Sequence, residues 1–337
     1  MKIKHLSLLL LVGLLASCGG NTTPTTSDTP STNTPTSETT DNTPIDTSKL
    51  KIVSPTGAPA VAFYKHGNNK NYTTNAKPSN ILSMLTAQSD KDVVVIDTVG
   101  GLRTIQKGAP YKIAATITFG NFFIASTGND ENDTMDKDDK IVLFGQEQTP
   151  DLLFHYLYGN EYDESIEYVA SVQDAAKCLT SGKNLITKNA VDYVFIAQPV
   201  LHKILNNPKA PTFGKAKVYA DVQELYKTKS GGAQLTQASV FVKNSTDTKV
   251  IDQFLFDLEN DIDEAIKTPS VVSTEMVKLN SEEASNLFGI DGATAEAVLK
   301  NNNALGLGFV KARDNKKAID TFANIFGLNE TTEKIYY

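Results

Sequence analysis

Cys18 is the residue whose neighbours commit it to a definite reaction. It closes the tetrapeptide Leu15-Ala16-Ser17-Cys18, behind the basic start Lys2, Lys4 and His5 and the apolar run from Leu6 to Leu15. That run is too short to span a bilayer and matches the apolar core of a secretory leader with small residues before the cut. A Cys directly after those small residues, followed by Gly19-Gly20, makes the tetrapeptide a lipobox. Residues 1–17 are therefore expected to leave as a signal peptide, and Cys18 to carry a lipid thioether. Each buried lipid CH₂ adds about 0.8 kcal/mol to membrane attachment, so such a chain needs no transmembrane helix.

A second set of groups suits binding more than reaction. The loops Ser54 to Pro59, Thr98 to Gly101 and Gln146 to Pro150 each follow an apolar β-type run and precede a helical pattern. In an open parallel sheet this carboxyl edge is where unpaired amides of helix N-termini meet in a crevice. Ser54, Thr56, Gly57, Ala58, Thr98, Gly100, Gly101, Gln146 and Thr149 are accordingly candidate ligand contacts. Singly, each loop would serve as well to cap a helix; three such loops at one edge point to a site. None carries Lys. Arg103, one of two arginines with Arg313, follows the second loop and is either a cation for an acidic ligand or a solvated helix residue.

Catalytic chemistry finds little support. His66, His155 and His202 lack metal-ligand spacing, and no His-Glu-x-x-His, Gly-x-Ser-x-Gly or Walker-type loop occurs. The tract Asp130 to Asp139 alternates oxygen ligands at Asp130, Asn132 and Thr134. Its sixth and twelfth places, however, hold Met135 and Ile141 where a calcium loop needs Gly and Glu, which leaves a solvated turn. Lys229-Ser230-Gly231 matches one motif of penicillin-binding enzymes without a Ser-x-x-Lys in a core helix. With Cys18 lipidated, Cys178 has no partner for a disulfide, and the helical stretch around it makes it a small core residue. No metal and no cofactor are expected.

The elements that position these loops begin after a long polar lead. Asn21 to Ser48 is almost wholly Thr, Ser, Pro, Asn and Asp, too poor in apolar side chains to offset chain entropy, so residues 18–48 read as a lipidated Cys and a disordered tether. The remaining residues suffice for one large two-lobed body or two ordinary domains. The chain holds 32 basic and 39 acidic residues, net −7; loss of Lys2 and Lys4 leaves 30 against 39, net −9. That balance argues against nucleic acid as a partner. Strands are expected at Leu50–Ser54, Val93–Asp97, Tyr111–Thr118, Phe122–Ser126, Lys140–Phe144, Glu167–Ala170, Asp192–Ile196, Gln237–Val242 and Gly306–Val310, with helices between most of them. Asn280-Ser281-Glu282-Glu283 offers a helix cap with Glu at N3. Strands alternating with helices imply parallel sheets.

A lipobox, a polar tether, a βα block, a second βα block and a return to the first with a helical tail resemble the type II periplasmic binding fold of ABC-importer substrate-binding proteins. The match extends over nearly all of residues 49–337, and is greatest to the nitrate, sulfonate and thiamine-precursor branch. Ser54-Pro55-Thr56-Gly57-Ala58-Pro59-Ala60, Val93 to Gly101, Gln146 to Thr149 and Ile196-Ala197-Gln198-Pro199 stand where that branch has its ligand loops. The resemblance implies an α/β, two-lobed fold with a mainly parallel sheet flanked by helices in each lobe. Lobe one would be residues 49–120 plus 238–337, lobe two residues 121–237. Ligand would lie in the cleft between them, with Phe119 and Asn121 at one crossing and Gln198 in the second lobe joining the contacts above. The chain has no Trp, so Phe63, Tyr64, Phe119 or Tyr193 would take the place of the Trp often found beside the ligand.

By the same resemblance the protein would be a monomer, anchored by lipid to the outer face of the cytoplasmic membrane. It would capture a small polar or heteroaromatic nutrient, such as a vitamin precursor or a sulfonate-like compound, and deliver it to an ABC permease. A non-transporting surface or sensor lipoprotein is the alternative, and a cofactor-biosynthesis enzyme on the same fold a further one that the lipobox speaks against.

Overall fold

The run Val93-Val94-Val95-Ile96 shows how the sequence builds its layers. Side chains alternate across a strand, and here both sets are apolar. Val93 and Val95 pack in one cluster with Ala115, Ile117 and Val240, while Val94 and Ile96 pack in another with Leu102, Ile105 and Phe241. Such a strand must be covered on both faces. The second sheet repeats the pattern: Tyr193 and Phe195 face one cluster, Val194 and Ile196 another.

The structure, a computed structural model, describes residues 45–337 apart from 131 and 133. The leader, Cys18, the tether as far as residue 44, and two acids of the 130–139 tract lie outside the described residues. The described strands are β1 (Ile52–Pro55), β2 (Tyr72–Asn75), β3 (Val93–Asp97), β4 (Tyr111–Thr118), β5 (Phe122–Ser126) and β6 (Ile141–Phe144), followed by β7 (Ile166–Val169), β8 (Tyr193–Ala197), β9 (Lys217–Asp221), β10 (Ala238–Lys243) and β11 (Leu307–Lys311). The helices are α1 (Ala58–Val61), α2 (Pro78–Leu82), α3 (Thr98–Gln106), α4 (Thr149–Tyr158), α5 (Val172–Ser181) and α6 (Val200–Leu205), then α7 (Val222–Lys229), α8 (Thr248–Lys267), α9 (Ser270–Met276), α10 (Ser281–Phe288), α11 (Gly292–Lys300) and α12 (Lys316–Ile325). None is long and apolar enough to cross a membrane.

Two sheets result, ordered β11-β4-β10-β3-β1-β2 and β7-β6-β8-β5-β9. Most strands of each share one direction; β10 and β11 are reversed in the first and β5 in the second. The reversal of β5 and β10 has a simple cause. Each is the first strand after the chain passes from one sheet to the other, and it enters its new sheet at the edge where the parallel strands end.

Helix ends follow local chemistry. Ser171 caps α5 by accepting from the Asp174 amide, and Gly182 ends it at φ 67°. Asn280 and Glu283 form a reciprocal capping box on α10. Helix α8 buries Ile251, Phe254, Leu255, Leu258, Ile262 and Ala265, a stripe at three- and four-residue spacing, under a cap from Asp247. Cys178 is wholly buried with Ala175 and Leu179, and burial pushes its thiol above the ordinary range, which disfavours the reactive thiolate.

Strands β2 and β9 and helix α7 are absent from the sequence reading. Both strands are sheet edges, and β9 keeps Lys217 and Val218 exposed, so neither has the buried face that makes a strand legible.

Candidate functional site

A cavity of about 330 Å³ opens where the parallel strands of both sheets end. The first sheet contributes Pro55, Thr56, Gly57, Ala58 and Pro59, where β1 turns into α1, and Ile96 and Asp97 at the end of β3. From the second come Phe144 at the end of β6, Thr149 and Pro150 opening α4, Val172 and Gln173 opening α5, and Ala197 to Val200, from the end of β8 to the start of α6. Both crossings form part of the wall, through Asn121-Phe122 and Gln237-Ala238, and Gly289 and Ile290 after α10 complete it. This is the edge at which open α/β sheets bind ligands.

The first loop is held from behind. Gly57 sits at φ 92°, ψ −147°, a conformation open to glycine and strained for other residues. Its N–H donates to the Phe288 carbonyl at 2.7 Å, so that amide is committed to the protein. Gly289 closes α10 at φ 72°, and a Cβ there would lie 3.0 Å from Thr56 Cβ.

A chain of amides ties the crossings to the second sheet. Asn121 is 6 % exposed. Its Nδ2 donates to the Gln198 carbonyl at 3.0 Å, and its Oδ1 accepts from Gln237 Nε2 at 3.1 Å. The Gln198 amide donates back to the Asn121 carbonyl at 2.8 Å, across a cis Gln198–Pro199 peptide, and Gln198 Oε1 accepts from the His202 amide. The orientation of each side-chain amide is fixed by these partners. A carbonyl can only accept, so Asn121 must turn Nδ2 to Gln198 and Oδ1 to Gln237. Gln237 Oε1 is thereby left buried without a donor among the described residues. Next to it, Gln223 grips Phe122 at both backbone groups, 2.8 and 2.9 Å.

Of the residues singled out from sequence, Thr56, Gly57, Ala58, Asn121, Thr149 and Gln198 line this cavity. Six others do not, each for a visible reason. Ser54 is wholly buried, its hydroxyl 2.8 Å from that of Tyr72. The Thr98 hydroxyl, also buried, meets Ser239 at 2.7 Å and ties α3 to β10. The Gly100 amide donates to Asp97, capping α3. Gly101 lets α3 lie on the sheet, since a Cβ there would fall 2.1 Å from the Phe241 ring. The Phe119 ring covers Gly308. Gln146 is exposed in the turn ahead of α4.

Arg103 does not line the cavity: it is an exposed residue of α3 whose guanidinium donates to the Phe326 carbonyl at 2.8 Å, pinning α3 to the end of α12. The aromatic assignments change as well. Phe63, Tyr64 and Tyr193 are buried in the apolar clusters, the last with its hydroxyl on Asp130. The rings that reach the cavity are Phe122 and Phe144, each at an end of its strand. Position on a sheet edge decides this, and residue type alone carries no such information.

Asp97 is the one charged residue in the cavity wall among the described residues. Its Oδ1 accepts from the Gly100 amide at 2.6 Å. Burial pushes its carboxyl above the usual carboxylate range, against the pull of the Gly100 N–H and of the Arg103 guanidinium. The sequence held a signal for it: an acid as the last residue of a buried β-branched run, directly before a helix, must stand at the crevice edge. Among the described residues no group of His, Cys, Asp and Glu is placed to hold a metal ion.

No family model and no curated protein matches the sequence. Solved structures do match in shape. The chain is similar to an ABC transporter from Parabacteroides distasonis at 16% identity and TM-score 0.65, covering 86% of this chain and 98% of that one. It is similar to the periplasmic aliphatic sulphonate binding protein SsuA from Escherichia coli at 12% identity and TM-score 0.60, covering 86% and 91%. The alkanesulfonate-binding protein SsuA from Xanthomonas axonopodis pv. citri, bound to MOPS, matches at 12% identity and TM-score 0.53 over 82% and 92%. At such identities the likeness shows the fold: α/β and two-lobed, of the type II periplasmic binding kind.

Proposed function

We propose that the protein is an extracytoplasmic substrate-binding lipoprotein of an ABC importer, anchored through Cys18 and working as a monomer. The observation that carries this reading is the composition of the cavity wall, which draws on the ends of both sheets and on both segments that cross between them. A solute lodged there touches both halves at once. Residues 49–120 with 238–337 would act as one lobe and residues 121–237 as the other. Bound solute then favours the closed arrangement by the difference in its affinity for closed and open forms, and the closed form is what a permease recognises. The captured solute is a small polar or heteroaromatic nutrient, a size in keeping with the cavity, and Phe122 and Phe144 offer rings against which it would stack.

A thermal-shift screen over vitamins, nucleobases, sulfonates, amino acids and sugars tests the binding role. A solute at 100 times its Kd stabilises the folded chain by about 2.7 kcal/mol, which raises Tm by several degrees, and it should also shrink the radius of gyration in solution scattering. Stabilisation by oligosaccharides alone, or by nothing, counts against the proposal. The anchor is tested separately: the Cys18→Ser chain should be recovered in the soluble fraction while the native chain partitions with membranes. An equal distribution of the two would remove the lipid from the proposal.

A further inference from the structure

We infer that the solute presents a protonated or hydrogen-bond-donating nitrogen to Asp97, and that a simple anion such as an alkanesulfonate is not what this cavity holds. The inference rests on the solute-binding role proposed above and names its chemical class.

Three features of the wall lead to it. First, among the described residues no Lys, Arg or His lines the cavity, and Arg103, on α3, donates to the Phe326 carbonyl outside it. A monoanion entering this space would meet no compensating charge, and burying an unpaired charge is costly. Second, Asp97 stands in the wall with one oxygen engaged: Oδ1 takes the Gly100 amide, while Oδ2 has no hydrogen-bond partner among the described residues. The protein has placed a carboxylate at the end of β3 with no hydrogen-bonded cation among the described residues; the Arg103 guanidinium acts on it only electrostatically. Third, Gln237 belongs to the same part of the wall. Its carbonyl accepts from the Thr98 amide next to Asp97, and it precedes Ala238, the β10 residue paired with Asp97. The amide chain through Asn121 and Gln198 leaves Gln237 Oε1 as an acceptor with no donor.

Asp97 Oδ2, an acceptor in the wall without a donor among the described residues, calls for a ligand that brings one; Gln237 Oε1 is itself buried and supplies no donor in its place. An ammonium, an amidinium or the exocyclic amine of a heteroaromatic ring does so; a sulfonate or carboxylate, acceptor-only, would repel Asp97. Burial raises the cost of the carboxylate's charge, and a cationic ligand beside it would offset that cost.

The test sets amine-bearing probes against anions of similar size in calorimetric titrations of the full mature chain. Benzylamine, benzamidine and 4-amino-2-methylpyrimidine form one set; benzoate, benzenesulfonate and propanesulfonate form the other. At least one member of the first set should bind, and Asp97→Asn should weaken it at least about 10-fold, the loss expected for a hydrogen bond to a charged group. Asparagine keeps an Oδ1 to cap α3, so the unliganded variant should melt no lower than the native chain, which separates loss of recognition from loss of fold. Binding of the anions alone overturns the inference and leaves the solute-binding role standing. Amine binding that Asp97→Asn leaves unchanged also overturns it. If neither set binds while the wider screen finds a ligand without a donor nitrogen, the inference again fails by itself; if the wider screen too is empty, both fall.

Discussion

Replacing Gly306 by alanine is expected to destabilise the protein by about 3 kcal/mol or more, among the largest effects a single methyl can have outside a packed core. Gly306 lies at φ 65°, and a Cβ added there would stand 1.9 Å from the Gly120 carbonyl oxygen and 2.8 Å from its carbon. Those are backbone atoms, with no rotamer to turn aside. The Gly306 carbonyl in turn accepts from the Phe119 amide at 2.7 Å, so a shift of one segment drags the other. Since residues 119–121 lead from β4 across to β5, the strain falls on the segment that joins the sheets and borders the cavity. Gly214→Ala is the matched control: Gly214 also has a positive φ, 77°, but nothing lies within 4 Å of its added Cβ, and the cost there should be about 1 kcal/mol. Urea denaturation of the two variants would decide it. Equal midpoints would mean that the approach of Gly306 to Gly120 is not a constraint.

Removal of the Asn121 side chain should cost about 2 to 3 kcal/mol and weaken solute binding in the same variant. Asn121→Ala strands the Gln198 carbonyl and Gln237 Nε2, which meet only through Asn121. A buried group left unpaired costs about 1 to 3 kcal/mol, and Gln237, being half-buried, recovers part of its share from water. The affinity loss follows from position: Asn121, Gln198 and Gln237 all line the cavity, and without the bridge the two crossings and the β8–α6 turn are no longer held in one geometry. Gln146→Ala, in an exposed turn, should change stability by no more than about 0.5 kcal/mol and leave affinity intact. A Gln146→Ala variant that loses binding as severely as Asn121→Ala would place the solute elsewhere.

Much of the architecture was legible in the sequence, for a physical reason that also sets the limit. Val93 to Ile96 and Tyr193 to Ile196 announce strands because both faces are apolar, and Asn280 with Glu283 announces a helix end because capping is a local matter of one side chain and its nearest amides. Where burial does not constrain the residues the signal fades: β2 and β9, at sheet edges, carry polar and exposed residues and went unread. The loops that meet at the cavity were found because a strand, a short loop and a helix in succession put the loop at the carboxyl edge of the sheet.

Tertiary structure decided which side chains in those loops face the cavity. Thr56 and Thr98 are alike in type and setting, yet Thr98 turns to Ser239 on a strand distant in sequence and Thr56 does not. Arg103 is claimed by a carbonyl on α12, and Gly57 by one on α10; neither pairing has a signature near the residue itself. Asp97 stood at a readable position, but that it would be the lone charged residue in the wall, with one oxygen unpaired, depended on the cations of the described chain all pointing elsewhere. Local propensity is set by a few neighbouring residues, whereas the charge and donor balance of a cavity is a sum over segments brought together only by folding.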